Sequence, residues 1–120
     1  MQVARRLLGG GRVIGLSTHS AGEFLAAQES TADYVALGPV FPTSTKAGAS
    51  PPLGVDAIAA LVPRKRKPLV AIGGITLERA PAVWRAGADA VAVISDIAMA
   101  TDPVRRLQAY LERWRSLKLE

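Results

Sequence analysis

Ala32-Asp33-Tyr34-Val35-Ala36-Leu37 and, 56 positions later, Ala88-Asp89-Ala90-Val91-Ala92-Val93 are two versions of one pattern. An acidic turn residue followed by an apolar run of alanine and β-branched side chains reads as a strand in a parallel sheet. Each copy is the second strand of a strand-helix-strand unit, and the internal echo makes the chain two similar quarters of a larger design. Asp33 and Asp89 stand at the amino ends of their strands and are read as structural turn residues.

Working outward, Arg12 to Leu16 reads as the strand before the first copy, and Ser17-Thr18-His19 as its exit. Ser20 with Glu23 forms a capping box for a helix from Ala21 to Ser30. Gly54 to Val62 is the next predicted helix, and Pro68 to Ile72 the strand before the second copy. Thr76 is expected to cap a helix through Ala86, with Pro81 near its start and Gly87 closing it. The second copy's strand is extended to Ile94, and a short segment, Ile97 to Ala100, comes before the last helix. That helix starts after Thr101-Asp102-Pro103, with Val104, Leu107, Tyr110, Leu111 and Trp114 at helical spacing. Val3 to Leu8 resembles the last turns of a helix, stopped by Gly9-Gly10-Gly11.

The predicted class is therefore α/β: one domain over residues 1–120, a parallel (β/α)4 half of a TIM (β/α)8 barrel. A full barrel takes roughly 200 residues or more. Four units leave two strand edges and one sheet face uncovered. The expectation is a missing N-terminal half-barrel or self-association, and the helix tail at the start favours a piece of a longer protein.

Composition agrees with that class. The chain is 49% hydrophobic with only 5% aromatics, an Ala/Val/Ile/Leu core. It has no cysteine, which excludes disulfides and thiolate metal sites and fits a cytoplasmic setting. No apolar run approaches the roughly 20 residues of a membrane span, so no membrane partner is expected. The net charge is +5, and the densest basic run is Arg64-Lys65-Arg66-Lys67. It has no interleaved aromatics for base stacking and reads as a solvated turn rather than a nucleic-acid site.

Chemistry in parallel α/β proteins gathers at the carboxyl ends of strands. The candidates there are Ser17-Thr18-His19, the long loop Gly38-Pro39-Val40-Phe41-Pro42-Thr43-Ser44-Thr45-Lys46, Gly73-Gly74, and Ile94-Ser95. They offer hydroxyls, small residues, backbone amides and one lysine, which is anion-binding chemistry. His19 has no partner visible in the sequence and is read as a loop residue. Asp96 is at the correct end, either for chemistry or for capping.

These motifs resemble the carboxyl-terminal half of the thiamine phosphate synthase family. The resemblance rests on Ile14 to Ser20, Ala32 to Lys46, Ala71 to Ile75 and Gly87 to Ser95, in that order, with the Pro-Thr-x-Thr-Lys element the most specific. It implies a TIM-barrel transferase that joins a hydroxymethylpyrimidine diphosphate to a thiazole phosphate, releasing pyrophosphate and requiring Mg²⁺. The diphosphate leaves first and the thiazole nitrogen traps the resulting cation.

By this resemblance Thr43 and Thr45 contact the thiazole phosphate, and Gly74, Ile94 and Ser95 form a phosphate cup. Ser17 and Lys46 contact the pyrimidine diphosphate, with Lys46 the catalytic residue. The family's arginine-lysine element, its asparagine and the aspartates that hold Mg²⁺ come from earlier strands and have no counterpart here. The related thiazole tautomerase carries a catalytic histidine where Pro39 stands and lacks the full Pro-Thr-x-Thr-Lys pattern. Two alternatives stay beside the synthase: a non-catalytic phosphate-binding assembly module and a tautomerase-like protein.

Overall fold

The computed structural model describes residues 1–43 and 51–119. Its elements are α1 (Gln2–Leu8), β1 (Gly15–Thr18), α2 (Ala21–Ala27), β2 (Tyr34–Leu37) and α3 (Val55–Leu61). After them come β3 (Leu69–Ile72), α4 (Ala80–Arg85), β4 (Ala90–Ala92), α5 (Ser95–Ala98) and α6 (Pro103–Lys118). The four strands lie side by side in chain order, all parallel. This is the expected α/β class.

Register and burial divide the sheet into two faces. Thr18, Leu37, Ala71 and Val91 share one row, and Ser17, Ala36, Val70 and Ala90 share the row beside it. Because side chains alternate along a strand, the two rows point to opposite faces. Val35, Leu37, Leu69 and Ala71 are fully buried against Phe24 of α2, Ile58 of α3, and Ala80 and Val83 of α4. Tyr34, Ala36, Val70 and Ile72 alternate with them and are only partly buried. Among the described residues, helices cover one face and nothing buries the other.

Both aspartates of the repeated pattern hold the amino end of the sheet in the same way. The Asp33 amide donates to the Ile14 carbonyl at 2.7 Å, and its carboxylate accepts from the Ile14 amide at 2.7 Å. The Asp89 amide donates to the Leu69 carbonyl at 2.9 Å, and its carboxylate accepts from the Leu69 amide at 2.8 Å. Each carboxylate also meets a cation, Arg5 at 2.8 Å and Lys65 at 2.9 Å. Arg5 further donates to the carbonyls of Gly9, Arg12 and Thr31. It anchors α1, a helix with no buried residue.

The basic run is used in the same place. Lys67 donates to the carbonyls of Ser30 and Ala32, and Arg66 pairs with Glu29. The amides of Arg66 and Lys67 donate to Oε1 of the buried Gln28 at 2.8 and 3.1 Å. The run is a structural turn leading into β3.

These pairings give the fold an acid dependence. The Arg5 hydrogen bond, then the Ile14 amide, hold Asp33 below the ordinary carboxylate range. Burial pushes Asp89 up, but the Leu69 amide and Lys65 outweigh it and its pKa is also lowered. A carboxyl whose folded pKa is depressed binds more protons when unfolded, so its stabilisation is present above about pH 4 and fades below that. Urea midpoints should be level above about pH 5 and fall steadily toward pH 3. A midpoint that rises on acidification would contradict this assignment.

Several boundaries differ from the sequence reading. The first strand is Gly15–Thr18 rather than Arg12 to Leu16, so Ser17 and Thr18 lie within it and not in the loop beyond. Glycine is required at position 15, inside the strand, because the Tyr34 ring lies over it, 2.1 Å from where a Cβ would sit. The helix expected from Thr76 begins at Ala80, and residues 77–79 form a turn in which the Arg79 amide donates to the Thr76 carbonyl at 3.0 Å. The helix expected through Ser30 ends at Ala27, the strand expected through Ile94 ends at Ala92, and a helix already starts at Ser95. The apolar stripe of α6 is mostly exposed. Val104, Leu107, Leu111 and Trp114 remain open because α6 packs on α4 and α5 and buries only Tyr110.

Candidate functional site

The carboxyl ends of β2 and β3 are stitched into one surface. The Gly38 amide donates to the Thr18 carbonyl at 3.2 Å, and the Gly38–Pro39 bond is cis. Val40 then donates to the Ile72 carbonyl at 3.0 Å and Phe41 to the Gly73 carbonyl at 3.1 Å. The chain leaving β2 thus follows the exit of β3 instead of looping free. Its return is fixed as well: Leu53 donates to the Pro39 carbonyl at 2.8 Å and Gly54 to the Val40 carbonyl at 2.9 Å. Both ends of the long loop are clamped at its base.

Gly73 and Gly74 allow this contact. Both have positive φ, 101° and 66°, where L side chains are disfavoured. A Cβ on Gly74 would sit 2.6 Å from the Pro42 carbonyl oxygen and 2.9 Å from Phe41 Cβ. The backbone at Gly74 therefore lies against Pro42, next to Thr43 in sequence. Two of the predicted phosphate contacts, Thr43 and Gly74, belong to one corner of the molecule.

Ile94 and Ser95 form the next corner. Ile94 is 63% exposed, and α5 starts directly after it, so its first-turn amides head toward the rim. Asp96 ties this corner to the previous one. Its Oδ2 accepts from the Leu77 amide at 2.9 Å and from the Tyr110 hydroxyl at 2.5 Å, and its Oδ1 accepts from Arg106 at 3.0 Å. Burial pushes the Asp96 carboxyl up, but the Tyr110 and Leu77 hydrogen bonds and the Arg106 charge lower it overall. Burial and the same bond raise the Tyr110 phenol. Both oxygens of Asp96 accept protein donors, so the side chain has a structural task in holding α6 to this corner.

The remaining predicted residues are spread more widely. Ser17 is exposed on the open sheet face, in the row of Ala36, Val70 and Ala90, and none of the described contacts brings it to the Gly74 corner. Its neighbour Thr18 is buried and donates to the Ala36 carbonyl at 2.8 Å. His19 is at the rim, where its amide donates to Glu23 Oε1 at 3.2 Å and its Nδ1 lies 3.6 Å from the same oxygen. Glu23 in turn donates its amide to Ser20 Oγ at 3.1 Å, the expected cap. Thr45 and Lys46 lie outside the described residues.

The sequence reading passed over Arg79. It donates to the Gly74 carbonyl at 2.7 Å, and its guanidinium carbon lies 4.9 Å from the centroid of the Phe41 ring. Nothing in a strand-exit motif marks it, because it lies beyond the turn that follows β3.

The model of the thiamine monophosphate synthase family matches residues 1–97. The chain belongs to that family. The thiamine-phosphate synthase of Myxococcus xanthus is 45% identical over 109 residues, covering 91% of this chain and 50% of that protein. The thiamine-phosphate synthase of Laribacter hongkongensis is 52% identical over 101 residues, covering 84% and 47%. Among solved structures, thiamine phosphate pyrophosphorylase from Pyrococcus furiosus superposes with a TM-score of 0.85 at 31% identity. That match covers 96% of this chain and 54% of that one. The chain therefore spans about half the length of the synthase relatives it matches.

The family's Mg²⁺ can be tested against the carboxylates present. Among the described residues no three His, Cys, Asp or Glu side chains are grouped to hold a metal. Asp96, beside the Ile94-Ser95 corner, has both oxygens occupied by protein donors. The described residues therefore hold no preformed all-protein cage for Mg²⁺.

Proposed function

We propose that this chain is the thiazole-phosphate-gripping half of a thiamine phosphate synthase, a (β/α)4 half-barrel acting in thiamine biosynthesis in the cytoplasm. The observation that carries the reading is the corner where Gly74 packs against Pro42 beside Thr43, within a chain of this family. The positive-φ glycines let two backbone segments meet at this rim, so an anion there would face main-chain amides and the Thr43 hydroxyl rather than bulky side chains. The open sheet face, with Ser17 in its middle row, supports the half-barrel part of the reading, because parallel sheets are ordinarily covered on both faces.

In this reading Thr43, Thr45 and the backbone at Gly74, Ile94 and Ser95 hold the thiazole phosphate. Ser17 and Lys46 face the pyrimidine diphosphate. The bond between the pyrimidine methylene and the diphosphate oxygen breaks, with the electron pair leaving on pyrophosphate, and the thiazole nitrogen donates its pair to the resulting cation. Lys46 stabilises the charge growing on the leaving group. No step of this account passes through a metal held by this chain.

The test is a titration and an assay on the isolated chain. It should bind thiazole phosphate, and it should turn over both substrates with Mg²⁺ at a rate far below that of a full-length relative. Absence of thiazole phosphate binding would overturn the reading. Turnover equal to a full-length relative would overturn the half-enzyme part alone. The open face and open strand edges also favour association, with a complementary half or with a second copy. Mass measurement in solution distinguishes these from a monomer.

A further inference from the structure

We infer that Arg79 is a positioning residue for phosphate binding, the clip that holds the two walls of the Gly74 corner in register. This inference rests on the function proposed above. Three contacts close a ring. Phe41 donates its amide to the Gly73 carbonyl at 3.1 Å, Gly74 lies against Pro42, and Arg79 spans both walls from outside. Its Nη1 donates to the Gly74 carbonyl at 2.7 Å while the guanidinium carbon lies over the Phe41 ring, 4.9 Å from its centroid. The backbone of Arg79 is fixed too, its amide donating to the carbonyl of Thr76 at 3.0 Å and to the Thr76 hydroxyl at 3.3 Å.

An arginine can do both tasks at once, because its planar group stacks on a ring and donates in its own plane. A lysine ammonium can replace the charge and one hydrogen bond but not the combined geometry. Holding the Gly74 carbonyl fixes the orientation of the Gly74–Ile75 peptide. Holding Phe41 fixes the segment that reaches Thr43 two residues later. Arg79 does not need to touch the ligand. It acts through the groups that do.

Arg79 is exposed, so its removal leaves the core intact. Thiazole phosphate is titrated by calorimetry into the wild-type chain, R79A, R79K and, as a control for net charge, R113A on the outer helix α6. The expected result is affinity about tenfold weaker in R79A, little recovery in R79K and no change in R113A. Urea midpoints of all four proteins should agree closely. Wild-type binding retained by R79A overturns this inference and leaves the proposed function standing. Full recovery in R79K assigns the effect to charge and also overturns it. A wild-type chain that binds no thiazole phosphate overturns the proposed function and this inference together.

Discussion

Asp96→Ala is expected to lower the unfolding free energy by about 3 kcal/mol. The carboxylate accepts the Leu77 amide, the Tyr110 hydroxyl and Arg106 on two oxygens, and Tyr110 is only 4% exposed. Truncation leaves a buried hydroxyl and a part-buried amide without acceptors, and each orphaned donor costs about 1–3 kcal/mol. It also releases α6 from α5, and those two helices have few buried side chains to hold them otherwise. Tyr110→Phe removes one donor together with its demand for an acceptor, and should cost only about 1 kcal/mol. Urea unfolding of the two variants beside the parent tests this. Equal losses in both would mean that the Tyr110 hydroxyl alone accounts for the contribution of the carboxylate, and that its bonds to Leu77 and Arg106 add nothing.

Gly74→Ala is expected to weaken thiazole phosphate binding about 100-fold while the sheet stays folded. The methyl group has two difficulties. The residue has a φ of 66°, which an L side chain adopts at a cost of about 1–2 kcal/mol. The new Cβ also meets the Pro42 carbonyl oxygen at 2.6 Å, a backbone atom with no rotamer to escape into. Either the turn after β3 or the segment carrying Thr43 must move, and both are walls of the proposed phosphate corner. Gly22→Ala is the matched control. Its Cβ would meet nothing nearer than Ser20 Oγ at 4.0 Å, and in the first turn of α2 it should add about 0.5–1 kcal/mol of stability. Calorimetric titration of both variants decides. Unchanged affinity in Gly74→Ala would remove this corner from the binding site.

The repeated Ala-Asp pattern and the apolar strand runs made the four parallel strands legible from residues alone, since each is a local signal. Asp33 and Asp89 were readable as structural because turn residues at strand starts face away from chemistry, although their reciprocal hydrogen bonds were not. What stayed hidden depends on contacts distant in sequence. The Tyr34 ring over Gly15 explains why a glycine belongs inside β1, and a strand 19 residues away supplies that reason. The stripe on α6 read as core because periodicity shows that a helix has an apolar face, not whether something covers it. Arg79 carries no motif, since its importance comes from Phe41 on a different strand exit. Asp96 lay in the correct place for chemistry or for capping, and only the structure shows the three donors through which it ties α5 to α6 and to the turn after β3.

The matched aspartate locks at Asp33 and Asp89 have a consequence for how such a chain can change over time. Alignment of neighbouring strands is set at the floor of the sheet, by two copies of the same small device, far from the rim that carries the proposed phosphate corner. The rim loops can then be exchanged, lengthened or re-chosen without disturbing how the strands line up. Because each lock lies within a single strand-helix-strand unit, the unit carries its own alignment with it when duplicated. A fold assembled from such self-registering units can acquire new specificities at one end while the other end stays the same.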